Sequence, residues 1–237
     1  MTIREHYSEP LSLDSLARPS MVSKFHFLRS FRRITGVTPG RFLTAVRLQE
    51  AKRLLRTTSY NVADISAQVG YGSTGSFTRR FTESVGYSPT EFRRIARSGD
   101  TGPGRISCRT EASPATGEIS GIARTADRTV SAIFIGVFDS PILERQPVTS
   151  TVITGPGAFR LTDVPAGPWY LHAVTYDAHA QAAPAPSERP LLVDMVGPVE
   201  VTPGARLTVE LTARPSNWTR PPILLSLPDL ADLAVTA

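Results

Sequence analysis

Residues 60–94, YNVADISAQVGYGSTGSFTRRFTESVGYSPTEFRR, decide how the first part of the chain is read. Val62, Ile65 and Val69 recur at helical spacing, and Phe77 and Phe81 repeat it after a break, so two short helices are expected on either side of a turn. The turn is Gly70-Tyr71-Gly72, where glycine takes a positive φ without a Cβ clash. Ser73 is placed to cap the second helix, which exposes Thr74, Ser76, Arg79 and Arg80 while Phe77 and Phe81 face inward. Gly86 ends that helix. Ser88-Pro89-Thr90-Glu91 then opens another, with serine as N-cap, proline in the first turn and glutamate three residues after the cap. A short helix, a glycine turn and a second helix with a basic outer face is the geometry that enters a DNA major groove.

The same pattern occurs earlier. Ser12-Leu13-Asp14-Ser15-Leu16-Ala17 reads as a capped helix stopped by Pro19, and a second helix follows from Ser23 with Phe27 and Phe31 inward and Lys24, His26, Arg29 and Arg32 among its polar positions. At an offset of 50, Ser23 matches Ser73, Phe27 Phe77, Arg29 Arg79, Phe31 Phe81, Gly36 Gly86, Pro39 Pro89 and Phe42 Phe92. At an offset of 49, Leu13 matches Val62 and Leu16 matches Ile65, so the one-residue slip falls in the turn. Two copies are too few for a solenoid. A connecting helix from about Pro39 to Thr57 joins them, with an apolar stripe of Phe42, Ala45, Leu48, Ala51 and Leu55, and Arg47, Glu50, Lys52 and Arg56 facing out. A rigid connector fixes the separation of the two recognition helices, so that they fit successive major grooves about 34 Å apart on one face of a duplex.

Charge divides the 237 residues in the same place. Residues 1–97 hold 16 Lys and Arg against 7 Asp and Glu, while the remaining 140 hold 10 against 14, within an overall formal charge of +5. A basic first part and an acidic remainder mean that only the first part is suited to a polyanion. Lys24 and Lys52 are the only lysines; the rest is arginine, which suits bidentate contact with guanine or phosphate. The single cysteine, Cys108, rules out an internal disulfide and a Cys-based zinc site. No apolar run reaches about 18 residues and no signal-peptide core is present, so a cytoplasmic protein without a membrane partner is expected.

At these residues a resemblance can be named. Residues 11–94 resemble the DNA-binding domain of AraC/XylS-family transcriptional regulators, most closely in ADISAQVGYGSTGSFTRRFTESVGYSPTEFRR and more loosely in LDSLARPSMVSKFHFLRSFRRITGVTPGRFL. The resemblance implies double-stranded DNA as partner, with base contacts from Phe25, Leu28 and Arg29 in the first unit and from Thr74, Gly75, Ser76 and Arg79 in the second, where Ser73 opens the helix. Arg29 and Arg79 are the main base-reading candidates, and Lys24, Arg32 and Arg80 hold phosphates. Four features depart from the family. Met21 stands where the first turn usually has glycine, which implies a distorted turn. Gly75 lies inside a recognition helix, at a cost of about 1 kcal/mol relative to alanine. The family's opening helix is cut short at Met1, as it would be if the native start lay upstream. The family usually carries its effector domain before the DNA-binding domain, whereas here 140 residues follow it.

Residues 98–117, rich in Gly, Ser, Thr and Pro, read as a linker between a helical domain at 1–97 and a sheet domain at 118–214, with a Pro- and Leu-rich tail at 215–237. EISGIARTA, TVSAIFIGVFD, VTSTVITG, AFRLTDV, WYLHAVTYD, PLLVDMV, VEVTP and ARLTVELTA make seven or eight short strands, which suggests an antiparallel β-sandwich. The fold class expected is therefore multidomain α and β: an all-α double helix-turn-helix domain, then the sandwich. Residues 130–138 are apolar on both faces and suit a central strand. GPGAFRLTDVPAGPWYLHAVTYD resembles the transthyretin-like, carboxypeptidase-regulatory type of sandwich at the level of fold alone.

Chemistry in this half is sparse. His172, Asp177 and His179 do not make a metal site, because 172 and 179 fall on opposite faces of a continuous strand; Cys108 has no histidine or CxxC partner nearby. No nucleophile elbow accompanies the serines, so no catalytic residue, metal ligand or cofactor is assigned. Trp169, Tyr170 and Tyr176 suit an aromatic core better than a ligand platform. The sandwich is expected to bind a small-molecule effector or a protein partner and to bias DNA binding or RNA polymerase recruitment. Two other readings fit the same residues: a carbohydrate-binding or enzymatic sandwich tethered to DNA, and an architectural DNA-bending protein.

Overall fold

Side-chain caps set the helix boundaries in the computed structural model, which describes residues 2–98, 115–125, 132–176 and 192–225. After a single turn, α1 (Thr2–Glu5), comes α2 (Leu13–Ala17). Ser12 and Ser15 close a reciprocal capping box at its start: each backbone N–H donates to the other's hydroxyl at 3.0 Å. A 3-10 turn over Arg18–Ser20 leads to α3 (Lys24–Thr35), capped by Ser23 and stopped by Gly36 at φ 78°. Then follow α4 (Pro39–Thr57), α5 (Val62–Gln68), α6 (Thr74–Val85) and α7 (Pro89–Ser98). Asn61, Ser73 and Ser88 accept from the backbone N–H three residues on, and Gly86 ends α6 at φ 94°.

These helices pack around α4, whose Phe42, Ala45, Leu48, Ala51 and Leu55 are all buried. Phe31, Ile65, Val69, Phe77, Phe81, Phe92 and Ile95 complete the core. The compact helical unit also takes in two stretches from much later in the chain, Ile142–Arg145 and Trp218–Leu225. Two residues expected to face out from α4 face in. Lys52 is buried, its ammonium donating to the carbonyls of Ile223, Leu224 and Leu225 at 3.3, 3.0 and 3.2 Å. Arg47 is half-buried and donates to the carbonyls of Tyr7 and Glu9 at 2.7 and 2.9 Å. Both satisfy backbone carbonyls that arrive from outside the helix, which periodicity within α4 does not register.

Met21 does not break the first turn. It adopts the left-handed conformation itself (φ 51°, ψ 32°), fully exposed, so the side chain meets no obstacle and the local penalty is the backbone strain alone.

The second unit is a seven-stranded sheet: β1 (Thr116–Thr125), β2 (Ala132–Phe138), β3 (Thr149–Ile153), β4 (Gly157–Pro165), β5 (Gly167–Tyr176), β6 (Leu192–Val201) and β7 (Arg206–Pro215), in the order β3-β2-β5-β6-β7-β1-β4. The edge strands β3 and β4 follow one another in the chain and lie close together, so the sheet is nearly closed. Ile119, Ile133, Ile135, Val137, Phe159, Leu161, Leu171 and Leu211 form its core. β2 is buried along its whole length and paired on both sides, as an apolar strand with two covered faces should be. Two expectations are corrected. The sheet is mixed, not purely antiparallel, because β1 pairs parallel with β7; the two lie at opposite ends of the unit's sequence, so no hairpin dictates their relative direction. PLLVDMV and VEVTP belong to one strand, β6, in which Gly197-Pro198 lies opposite the register shift between Trp169 and Leu171.

Candidate nucleic-acid interface

Each of the two helix pairs buries one face of its second helix and presents the other. In α6, Phe77 and Phe81 are fully buried with ring centroids 5.6 Å apart, and Phe81 meets Phe92 of α7 edge-on at 5.7 Å. In α3, Phe31 is buried against Phe42 of α4 at 5.5 Å, edge-on, while Phe27 is half-buried. Anchored in this way, the opposite faces place Lys24, Phe25, Arg29 and Arg32 of α3 and Ser73, Thr74, Gly75, Ser76, Arg79 and Arg80 of α6 in solvent; Leu28 is half-buried. All eleven residues singled out from the sequence therefore lie on the two second helices or their caps, and ten are exposed.

The basic groups differ in their engagement. Lys24 lies 3.9 Å from the Asp14 carboxylate, its ammonium over the Phe25 ring at 5.8 Å, and Arg80 lies 3.7 Å from Glu83. These are exposed pairs of little energetic weight. Among the described residues, no hydrogen bond or ion pair engages the side chains of Arg29, Arg32 or Arg79.

Other arginines serve the fold. α3 and α6 stop at glycine, but α4 stops at Thr58 in an extended conformation, which leaves terminal carbonyls in need of donors. Arg93 of α7 donates to the carbonyls of Leu55 and Tyr60, and Arg97 to that of Thr58 at 2.9 Å. These arginines lie 33 to 39 residues beyond the carbonyls they satisfy, so no signal local to α4 marks them as structural. Burial lowers the Arg47 guanidinium from its ordinary value, and burial raises the Tyr71 phenol, against the opposing influence of Arg47 and Arg80.

In the sheet unit, His172 is buried, its Nε2 is 2.9 Å from the Ser140 carbonyl, and its ring meets Phe138 edge-on at 5.2 Å. The half-buried Trp169 donates from Nε1 to the Pro165 carbonyl at 2.6 Å. Cys108, Asp177 and His179 lie outside the described residues. Among the described residues, no group of three His, Cys, Asp or Glu could hold a metal ion, and no helix is long and apolar enough to cross a membrane.

A family model described as a helix-turn-helix domain matches residues 16–95. The HTH-type transcriptional activator AarP of Providencia stuartii is 36% identical over 91 residues, 38% of this chain and 67% of AarP. The MmsAB operon regulatory protein of Pseudomonas aeruginosa is 35% identical over 100 residues, 42% of this chain and 33% of that protein. The transcriptional regulator Rob of Salmonella typhimurium is 36% identical over 89 residues, 38% of this chain and 31% of Rob. The chain thus spans about a third of the length of the first curated relatives it matches. The solved DNA-binding domain of AdpA, in complex with a target DNA, is 31% identical at a TM-score of 0.39, over 40% of this chain and 86% of that one.

Proposed function

The chain belongs to the AraC-type family of helix-turn-helix transcriptional regulators, and on that premise we propose that it reads a specific DNA site by inserting α3 and α6 into successive major grooves on one face of the duplex. The observation that carries this reading is the pair of unengaged, exposed arginines, Arg29 and Arg79, at equivalent positions of two similarly built helix pairs. Between them runs α4, whose 19 residues make a rod of about 28 Å, comparable with the spacing of about 34 Å between grooves. Arg29 and Arg79 are assigned to base edges, since a guanidinium reaches guanine O6 and N7 together. Thr74, Gly75 and Ser76 bring the first turn of α6 close to the bases, and Phe25 and Leu28 offer apolar contact to thymine methyls. Lys24, Arg32 and Arg80 hold phosphates, and the capped N-terminus at Ser73 adds backbone N–H groups for a phosphate oxygen.

The seven-stranded unit is assigned a regulatory, non-catalytic role as a sandwich-like module for a small-molecule effector or a protein partner, acting on DNA binding or RNA polymerase recruitment. Selection of bound sites from random DNA by the full-length protein tests the proposal. Two informative blocks about one helical turn apart are expected. Arg79→Ala should cost about 1–3 kcal/mol on the selected site and relax one block. A steep salt dependence with no motif, or equal losses on selected and random DNA, rejects it in favour of non-specific binding.

A further inference from the structure

The second recognition helix ends in a buried joint that residues 1–97 do not complete. Ser84, in the last turn of α6, is buried, and both its backbone and its hydroxyl are engaged by the stretch Ile142–Arg145. The Arg145 N–H donates to the Ser84 carbonyl at 2.9 Å, one of the terminal carbonyls that an α-helix cannot satisfy within itself. The Ser84 hydroxyl donates to Oε2 of Glu144 at 3.0 Å, and Oε1 of the same buried carboxylate accepts from Arg41, in the first turn of α4, at 2.8 Å. One carboxylate thus ties the end of α6 to the start of α4.

The stretch is itself fastened down. Ile142 is part of the helical core. The Leu143 carbonyl accepts from the N–H groups of Leu224 and Leu225 at 2.9 and 3.1 Å, and the carbonyls of Ile223–Leu225 in turn receive the Lys52 ammonium from α4. Leu224 is fully buried in the helical core. In sequence these two stretches lie between β2 and β3 and after β7, so the chain's later half supplies parts of the unit that carries α6.

We propose that Glu144 is a positioning residue for DNA reading: it sets the seat of α6 through Ser84, so that the bases read by α6 depend on Ile142–Arg145 while those read by α3 do not. α3 is seated by Phe31 on Phe42 and by the Ser23 and Gly36 caps, none of which takes part in the hydrogen bonds of this joint. The inference rests on the reading of α3 and α6 as the two base-reading helices.

The test uses the full-length protein and the site it selects from random DNA, well below the unfolding temperature. In Glu144→Ala, binding to the selected site should fall about 3- to 30-fold. Substitutions in the α6 block of that site should lose discrimination, the α3 block should keep its own, and affinity for random DNA should barely change. A merely structural glutamate would lower the melting temperature and leave the ratio between blocks untouched among folded molecules. Glu144→Gln, which keeps an oxygen for Ser84 or Arg41, should restore most of the discrimination. Ser84→Ala, a small change in a buried turn, should show the same block-selective loss, and combined with Glu144→Ala it should add little; if Glu144→Ala fails to fold, Ser84→Ala decides. Arg79→Ala is the control. If it leaves the α6 block intact, the base-reading assignment itself fails. If it erases that block while Glu144→Ala and Ser84→Ala weaken both blocks equally or neither, the positioning role is overturned.

Discussion

The two helix pairs repeat one pattern at a spacing of 50 residues, yet they are held with different firmness. In the second pair, α6 buries Phe77, Phe81, Ser84 and Val85, and its turn is made by a glycine. In the first, α3 buries Phe31 alone, and the turn is made by a methionine in a left-handed conformation. Met21 is 94% exposed, Phe25 66% and Ile34 59%, all in the first pair. Half-buried Phe27 borders an open, mainly apolar cavity of about 350 Å³ that Phe31, Ile34, Phe42 and Trp218 also line. The equivalent Phe77 is enclosed by Tyr71 and Phe81. The same residue types at the same spacing therefore yield a closed unit or an open one according to what each packs against. The spacing of apolar positions determines which face turns inward; the neighbours determine how much that burial is worth.

The largest consequence should appear in the equivalent phenylalanines. Phe77→Ala removes a fully buried ring and should cost about 3–5 kcal/mol. Phe27→Ala removes a ring already facing open space and should cost less than half as much. Urea unfolding followed by helix circular dichroism gives both values. Equal costs would break the contrast between a closed and an open unit.

The turns sharpen it next. Gly70 has φ 86°, and a Cβ there would stand 2.5 Å from the Ser8 carbonyl oxygen and 2.9 Å from Arg47 Nη2. Gly70→Ala therefore adds left-handed strain to a backbone clash and should cost roughly 2–4 kcal/mol. Met21 carries the strain without the clash, so Met21→Gly should stabilise the protein by about 1 kcal/mol. Opposite signs for the two substitutions are the expected result. A loss from Met21→Gly would mean that the exposed methionine side chain contributes more than its backbone costs.

Much of the helical half could be read directly, because its instructions are local. Ser12, Ser23, Asn61, Ser73 and Ser88 cap helices within three residues of themselves, and Gly36 and Gly86 end them. The exposed positions of α3 and α6 follow from the same local geometry. What could not be read depends on partners remote in sequence. Lys52 looks like an outward lysine until the carbonyls of Ile223–Leu225 arrive, and nothing in Pro141-Ile142-Leu143-Glu144-Arg145 marks Glu144 as the partner of Ser84 and Arg41. A boundary drawn at residue 97 from a change in composition divides the helices from stretches that complete their core. In the sheet, strand positions followed from alternation and β-branched content, while the parallel pairing of β1 with β7 is a property of topology that alternation leaves undetermined.

Tyr71 tests the closed unit from within. Among the described residues its buried hydroxyl has no hydrogen-bond partner, and burial raises its pKa from the usual 10.0. An unsatisfied buried hydroxyl is costly, so Tyr71→Phe should raise stability by about 1 kcal/mol. Because the phenol ionises more readily in the unfolded chain, the wild type should lose stability as pH rises above 10.0, and the phenylalanine variant should lose less over that interval. Stability measured against pH for the two proteins distinguishes this from simple repacking, which would shift both curves in parallel.

The smallest effect concerns Gly75, exposed in the first turn of α6, where no described residue outside its own helical turn comes within 4 Å of where a Cβ would stand. In the free protein, Gly75→Ala should add roughly 0.5–1 kcal/mol, since alanine loses less conformational freedom in a helix. On DNA the same substitution probes how closely α6 approaches the groove. If α6 enters as proposed, the added methyl lies against base edges or sugar, and affinity for the selected site should fall even as the protein becomes more stable. The corresponding position on α3 is already occupied by Phe25, so a glycine in one pair and an exposed aromatic in the other imply different depths of entry. A gain in stability with no change in affinity would place the first turn of α6 away from the duplex and leave α3 as the helix of closer approach.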